Sequence, residues 1–230
     1  YQYDATRIRG FSLTHLSGTG CAGASGDVPF MPVTVAVTTS PALDADDSRY
    51  ASDFSHSDEH ATPGDYRVRL ANGSEVELAS ALRSGIAQFV FPAGKPANLL
   101  VRVSDSEVGS SDAQIKIDRA ARTISGSVTS GNFCGYLSKA DRRSYYTLYF
   151  VAQFDQPFAA TGTWHDGAVH ADATAAGGGT GFGDKRFLPA GTGSGGWVGF
   201  AAEHGATVDV RVGISYVSLA NARANLDAEI

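Results

Sequence analysis

Cysteine and methionine are scarce in this chain: of 230 residues, two are cysteine and one is methionine. Two cysteines are too few for a disulfide scaffold. Cys21 and Cys134 could close one bridge in an oxidising compartment, although packing or site chemistry is the commoner use of cysteine in a domain of this size. No run approaches the roughly 20 consecutive apolar residues of a membrane helix. Tyr1 opens directly into structured-looking sequence without the regions of a signal peptide, as expected of a mature or trimmed chain. Basic runs are absent as well. A formal net charge of -6 without clustered Lys and Arg argues against nucleic acid, whose phosphates need such clusters.

What is abundant is strand signal. With 43% hydrophobic residues, a chain of this length can bury a sizeable core as one unit. Residues 66–70 (YRVRL) alternate apolar and charged, Asn72-Gly73 supplies a tight turn, and residues 76–82 (VELASAL) resume the alternation, which predicts a β-hairpin. Further extended runs cover residues 28–37, 86–91, 99–103, 113–117, 123–128, 145–154, 158–164, 197–200 and 207–216. Rich in β-branched and aromatic residues and punctuated by Gly, Pro, Asn and Asp, they predict an all-β fold of two packed antiparallel sheets, a β-sandwich over residues 1–217. The end differs. Ser218 can cap a helix in which Leu219, Ala222, Leu226 and Ile230 form an apolar stripe. No Gly or Pro stop follows, so residues 218–230 are expected to begin a helical linker whose stripe awaits a missing neighbour.

Most local motifs have a plain explanation. Gly191-x-Gly193-x-x-Gly196 matches a dinucleotide fingerprint formally, but a strand-like Trp197-Val198-Gly199-Phe200 follows where a helix N-terminus is needed, so a flexible loop is the better reading. The stretch from Gly178 to Lys185 lacks the ending of a phosphate loop. His56 and His60 have the spacing of a helical metal pair, yet Ser55, Thr62, Pro63 and Gly64 around them indicate a polar loop. Asn72-Gly73-Ser74 is a glycosylation sequon already explained as a turn. Two segments carry more. Phe11 to Cys21 (FSLTHLSGTGC) brings an imidazole (His15), two hydroxyls (Ser17, Thr19), two glycines (Gly18, Gly20) and a thiol together, as suits either a site loop binding hydroxyl-rich ligands or a structured turn. Gly131 to Gly135 (GNFCG) sets Phe133 and Cys134 between glycines, where a buried pair at a loop base is the slightly preferred reading. No nucleophile, base and orienter are legible together, and nothing marks which of the 24 acidic residues would form a glycosidase dyad.

Five ordered blocks nonetheless resemble one family. IRGFSLTHLSGTGC (Ile8 to Cys21), FSHSDEHATPGDYRVRL (Phe54 to Leu70), SGNFCG (Ser130 to Gly135), YTLYFVAQFDQPFAATGTW (Tyr146 to Trp164) and VRVGISYVSLANARANLDAEI (Val210 to Ile230) are similar to the N-terminal domain of glycoside hydrolase family 92. The resemblance implies a galactose-mutarotase-like supersandwich joined to an (α/α)6 barrel, with the active site between them. It implies a secreted or cell-surface bacterial enzyme, an exo-acting, inverting α-mannosidase that uses calcium on the mannose ring. The acid, base and calcium ligands then come from the barrel, so catalytic and metal residues are expected to lie outside this chain, and the fragment alone is expected to be inactive. This domain's share is substrate binding: His15, Ser17, Gly18 and Thr19 match the family's interface loop, and Phe133 and Cys134 match wall residues beside the same sugar. Expected partners are a mannose-containing glycan and the intramolecular barrel, with no nucleic acid and no membrane.

The chain also departs from the family pattern. Leu13 stands where members often have His, and Asp65 where they often have an aromatic residue. There is no Trp before Trp164, whereas members cleaving α-1,2-linked mannose tend to offer one from this domain. That leaves other linkages and mannosyl phosphodiesters open. An upstream first strand is also expected to be missing. The rival function is a stand-alone carbohydrate-binding module, or a structural interaction domain, either of which should end without an apolar docking face.

Overall fold

Alternation of apolar and polar side chains makes this chain extended over most of its length. The structure, a computed structural model, describes residues 3–14, 25–44, 46–131, 145–182 and 191–230. In chain order the strands are β1 (Arg7–Ile8), β2 (Phe30–Val33), β3 (Ser52–Asp53), β4 (Glu59–Thr62), β5 (Asp65–Arg69), β6 (Glu75–Ser80), β7 (Ser84–Phe91), β8 (Ala97–Val101) and β9 (Gly109–Asp118). They continue as β10 (Thr123–Gly131), β11 (Tyr145–Phe154), β12 (Ala160–His165), β13 (Ala168–Ala171), β14 (Ala175–Gly177), β15 (Gly181–Phe182), β16 (Ser194–Phe200) and β17 (Ala206–Ser215), before a helix α1 (Leu219–Glu229).

Every named strand pair is antiparallel, and the strands form two facing sheets. The larger has the order β14-β9-β10-β11-β17-β7-β6-β5-β4, with β15 also alongside β9, and the smaller has the order β13-β12-β16-β8-β2. Strands β1 and β3 pair separately. The chain shuttles between the sheets, crossing from β7 to β8, back at β9, over at β12, back at β14, over again at β16 and finally home at β17, so neither sheet can close without the other. The hairpin read at Asn72-Gly73 is β5-β6, in register Arg69↔Glu75. Gly73 takes φ +95° there, which glycine adopts without strain.

Between the sheets lies one apolar core. Ile115, Ile117, Ile124, Leu148, Phe150 and Phe89 face it from the larger sheet and Leu99, Val101 and Val198 from the smaller, all buried. The sheets approach closely where β16 has no side chain: a Cβ on Gly196 would stand 3.1 Å from the Cδ1 atoms of both Ile115 and Ile117. On the opposite face the two tryptophans each lie over a glycine of the neighbouring strand. A Cβ on Gly195 would be 2.1 Å from Trp164 Cζ2, and one on Gly162 would be 2.5 Å from Trp197 Nε1. The glycine-rich stretch is therefore not a flexible loop throughout, because from Ser194 onward it is a buried strand. Its glycines answer to packing.

One further expectation is corrected. The polar loop expected around His56 and His60 is a short 3-10 turn, His56–Asp58, followed by β4, which extends the larger sheet beyond β5. The apolar stripe of α1 is covered in part by this domain itself, with Leu219 still 41% exposed. Ala222 and Leu226 are buried against this domain's own β17 and β11. Asn225 Nδ2 donates to the Ile214 carbonyl at 2.8 Å, and Glu229 accepts from Arg83 Nε at 2.9 Å and from the Ser84 hydroxyl at 2.6 Å. Ser218 caps the helix as read, accepting from the Asn221 amide at 3.1 Å.

His56 ties the start of the described chain to this edge. Its Nδ1 lies 2.7 Å from Glu59 Oε2, and its Nε2 lies 2.5 Å from the Tyr3 carbonyl oxygen. A carboxylate and a carbonyl oxygen both accept, so this setting favours the ring with both nitrogens protonated. Its pKa is accordingly raised above the ordinary 6.5, first by the Glu59 hydrogen bond and then by the Tyr3 carbonyl. A raised histidine pKa supplies stability that is full below the ordinary value and is lost as pH rises through the raised one. His56→Gln is expected to remove that step: the urea midpoints of wild type and variant should differ around pH 5.5 and converge around pH 8.5. An equal gap at both pH values would contradict it.

Candidate functional site

The residues singled out in the sequence, His15, Ser17, Gly18, Thr19 and Cys21 in the first segment and Phe133 and Cys134 in the second, lie outside the described residues. The residues that carry both segments are described, and they meet. Phe11 exchanges two backbone hydrogen bonds of 2.9 Å with Phe30, just ahead of the first segment. The Ser12 hydroxyl donates to the Asp27 carbonyl at 2.7 Å, the Thr14 hydroxyl donates to Asp27 Oδ2 at 3.2 Å, and the Asp27 amide donates back to Thr14 Oγ1 at 2.9 Å. The two ends of the segment, Thr14 and Ser25, are thus laced together around Asp27. Val28, directly after it, holds φ +52°, a left-handed conformation that is costly for a β-branched residue and tends to persist at functional positions.

The second segment leaves from the end of β10 and returns at the start of β11, in register Gly131↔Tyr145 and Ser130↔Tyr146. Tyr146 reaches across to the first stem. Its hydroxyl donates to Asp27 Oδ2 at 2.7 Å and stands 2.8 Å from Ser25 Oγ. The Tyr145 ring lies 4.6 Å from that of Phe182, where a third segment departs, and Tyr216, just beyond β17, sits edge-on to Tyr146 at 5.3 Å. One end of the sandwich therefore gathers all these stems.

Burial governs the electrostatics here. It pushes the Asp27 carboxyl above its usual range, against the opposing pull of Ser130, Tyr146 and Thr14 hydroxyls. Ser130 acts at short range rather than through a well-formed bond, since Ser130 Oγ and Asp27 Oδ1 are both buried without a hydrogen-bond partner among the described residues. Burial, and then the Asp27 charge, raise the phenols of Tyr146 and Tyr216. Thr14 and Asp27 also wall one end of a cavity of about 370 Å³, whose other lining includes Leu78, Phe89, Phe150, Val212 and Ile214. Its lining is mostly apolar with a few hydroxyl and carboxyl groups, a composition common in small-molecule pockets.

Chemically this arrangement positions rather than reacts. Among the described residues, the hydrogen-bonding side-chain partners of Asp27 are hydroxyls, with no base or second acid to share a proton with. No group of three or more His, Cys, Asp or Glu among the described residues could hold a metal ion. The Asp27 cluster, one carboxylate among hydroxyls, does not fit a calcium site, which takes about 6–8 oxygen ligands. Sequence reasoning passed over Asp27 and Tyr146. The available signal was an acidic residue opening the apolar run Asp27-Val28-Pro29-Phe30-Met31, where a charge survives only if satisfied inside the fold.

Similarity to known proteins agrees with the fold. The chain matches the sequence model of the glycosyl hydrolase family 92 N-terminal domain over residues 1–215. It is similar to a family GH92 alpha-mannosidase of Bacteroides thetaiotaomicron, also solved in complex with mannoimidazole, at 27% identity and TM-score 0.76, covering 99% of this chain and 29% of that one. A GH92 family glycosyl hydrolase is similar at 29% identity and TM-score 0.75, covering 97% of this chain and 28% of that one. The family GH92 inverting mannosidase of Bacteroides thetaiotaomicron VPI-5482 shares the fold at 22% identity and TM-score 0.74, covering 100% of this chain and 27% of that one. No curated protein sequence matches. The chain spans 27 to 29% of the length of these solved structures. With the family model matched across nearly its whole length and the sandwich reproduced, this chain belongs to glycoside hydrolase family 92 and is its N-terminal domain.

Proposed function

We propose that this domain forms part of a longer, exported, exo-acting α-mannosidase that inverts the anomeric centre, and that it supplies one wall of the mannose site. The family match over residues 1–215 carries this reading. The meeting of the stems of both glycine-flanked segments at Asp27 supports it. Ser17, Gly18 and Thr19 would bond sugar hydroxyls through hydroxyl and amide groups, His15 would contact the sugar or brace the segment, and Phe133 and Cys134 would line the ring. Inversion requires one carboxylic acid to protonate the leaving oxygen and a carboxylate, about 6.5–9.5 Å away, to activate water. Asp27, surrounded by hydroxyls, fits neither role. The acid, the base and the ligands of a calcium ion, a hard cation suited to sugar oxygens, would come from outside this chain.

The test uses the full-length protein on an aryl α-mannoside, with the product anomer followed by NMR. Activity should require added calcium after chelation, and the first product should be β-mannose. Ser17→Ala and Cys134→Ala should each lower kcat/KM about tenfold with little change in thermal midpoint, as expected when one sugar contact is removed. Unchanged kinetics in both variants would remove these residues from the site. The 230-residue chain alone should show no turnover. A second reading, a stand-alone carbohydrate-binding module, gains from one observation: Ala222 and Leu226 of α1 are buried on its own sheet. Mannose binding by the isolated chain as tight as by the full-length protein would favour it.

A further inference from the structure

The cavity of about 370 Å³ has its origin in the topology. The larger sheet runs on through β6, β5 and β4 beyond β2, which is the edge strand of the smaller sheet. Residues 11–14 bridge the difference. Phe11 pairs with Phe30 of β2, and Leu13 rests on Gly85 of β7, where a Cβ would stand 2.5 Å from Leu13 Cδ2. Beneath this strap a gap remains, and four phenylalanines, Phe11, Phe30, Phe89 and Phe150, line it. Asp27 lines it too and is 2% exposed. The Thr14 and Tyr146 hydroxyls both donate to Oδ2, whereas Oδ1 is buried with no hydrogen-bond partner among the described residues. The groups acting on this carboxyl there are hydroxyls, with no Arg, Lys or His among them. Buried charges are normally paired, so a cation is what this wall lacks. Asp65, the other carboxylate in the lining, already has Arg67 Nε at 3.2 Å.

We propose that this cavity binds a small organic ammonium ion, its charged head on Asp27 Oδ1 and its apolar body among the phenylalanines. Aromatic rings reinforce the preference for a cation, because their faces attract positive charge. The bond to Asp27 would be charge-assisted and about twice as strong as one from a neutral donor. A sugar ring suits the lining poorly, since most of its hydroxyls would be buried against apolar groups without partners. The proposal goes beyond mannoside hydrolysis and does not rest on it.

The test is a ligand-observed NMR titration of the full-length protein at neutral pH with 2-phenylethylammonium and, separately, 2-phenylethanol. The two probes share a body and differ in the charge of the head. The ammonium should bind with Kd about 0.1–1 mM, reasonable for a ligand of this size. The alcohol should bind at least about tenfold more weakly, because it brings no charge to the carboxylate. Asp27→Asn should weaken ammonium binding at least about tenfold and alcohol binding less than about threefold. Ala87 and Phe89, two residues apart on β7, both line the cavity. Ala87→Leu should therefore fill part of it and remove binding of both probes. Equal affinity for the two probes would overturn the proposal, as would no binding of the ammonium up to about 10 mM. So would ammonium binding unchanged in Asp27→Asn, or retained in Ala87→Leu, which would place it on the surface of this acidic chain. Thermal unfolding checks that both variants fold. If either does not, the comparison of the two probes on the wild-type protein decides.

Discussion

Trp164→Ala is expected to destabilise the domain by about 3–5 kcal/mol, the range for truncating a large buried aromatic residue. The upper part of that range applies when the surroundings cannot collapse into the void, and here they cannot. Trp164 is 2% exposed and lies over Gly195, whose Cβ would stand 2.1 Å from the indole Cζ2. Strand β12 is paired on both sides, to β13 and β16, so the backbone beneath the indole is held by two ladders. Urea unfolding at equilibrium measures the effect. Leu82→Ala, at a residue 85% exposed, should change stability by less than about 0.5 kcal/mol. A Trp164→Ala loss below about 1 kcal/mol would mean that the outer face of the smaller sheet contributes little to the fold.

The second large effect concerns the seat of the helix. Gly213→Val should cost about 3 kcal/mol, the upper end for overpacking. A Cβ there would stand 2.3 Å from the Ala222 carbonyl oxygen, 2.7 Å from Leu226 Cβ and 2.9 Å from the Leu226 amide nitrogen. These are mainly helix backbone atoms, which cannot swing aside as a flexible side chain can. The helix must lift, and Ala222 and Leu226 lose their burial together. The urea midpoint should fall, and hydrogen exchange at residues 222–229 should speed up more than in β9 or β10. A variant as stable as wild type, with the helix still protected, would show that α1 sits higher on β17 than this contact implies.

How legible the fold was varied with the origin of the signal. Strand β11 was read with its true ends, and the β5-β6 hairpin with its turn, because period-two alternation and Asn-Gly chemistry are local. The strands β13, β14 and β15 were not read, being two to four residues long; β14 and β15 also form on β9, remote in sequence. Residues 194–196, read as loop, are strand because Trp164 on one face and Ile115 and Ile117 on the other select glycine there. No run of glycines announces such partners. The α1 stripe was read correctly as apolar, but the surface that covers it depends on a missing side chain at Gly213.

The same division holds at the candidate site. The residue types of the two glycine-flanked segments, and the family to which the chain belongs, were visible in the order of residues alone, because backbone-permissive glycines and polar side chains mark a segment wherever it lies. That the stems of the segments meet at Asp27 was decided by the tertiary structure. Nothing within a few residues of Asp27 predicts a bond to a tyrosine 119 positions later. The contact exists because β11 brings Tyr146 to the same end of the sandwich as the Asp27 stem, and burial there leaves a carboxylate no water to turn to.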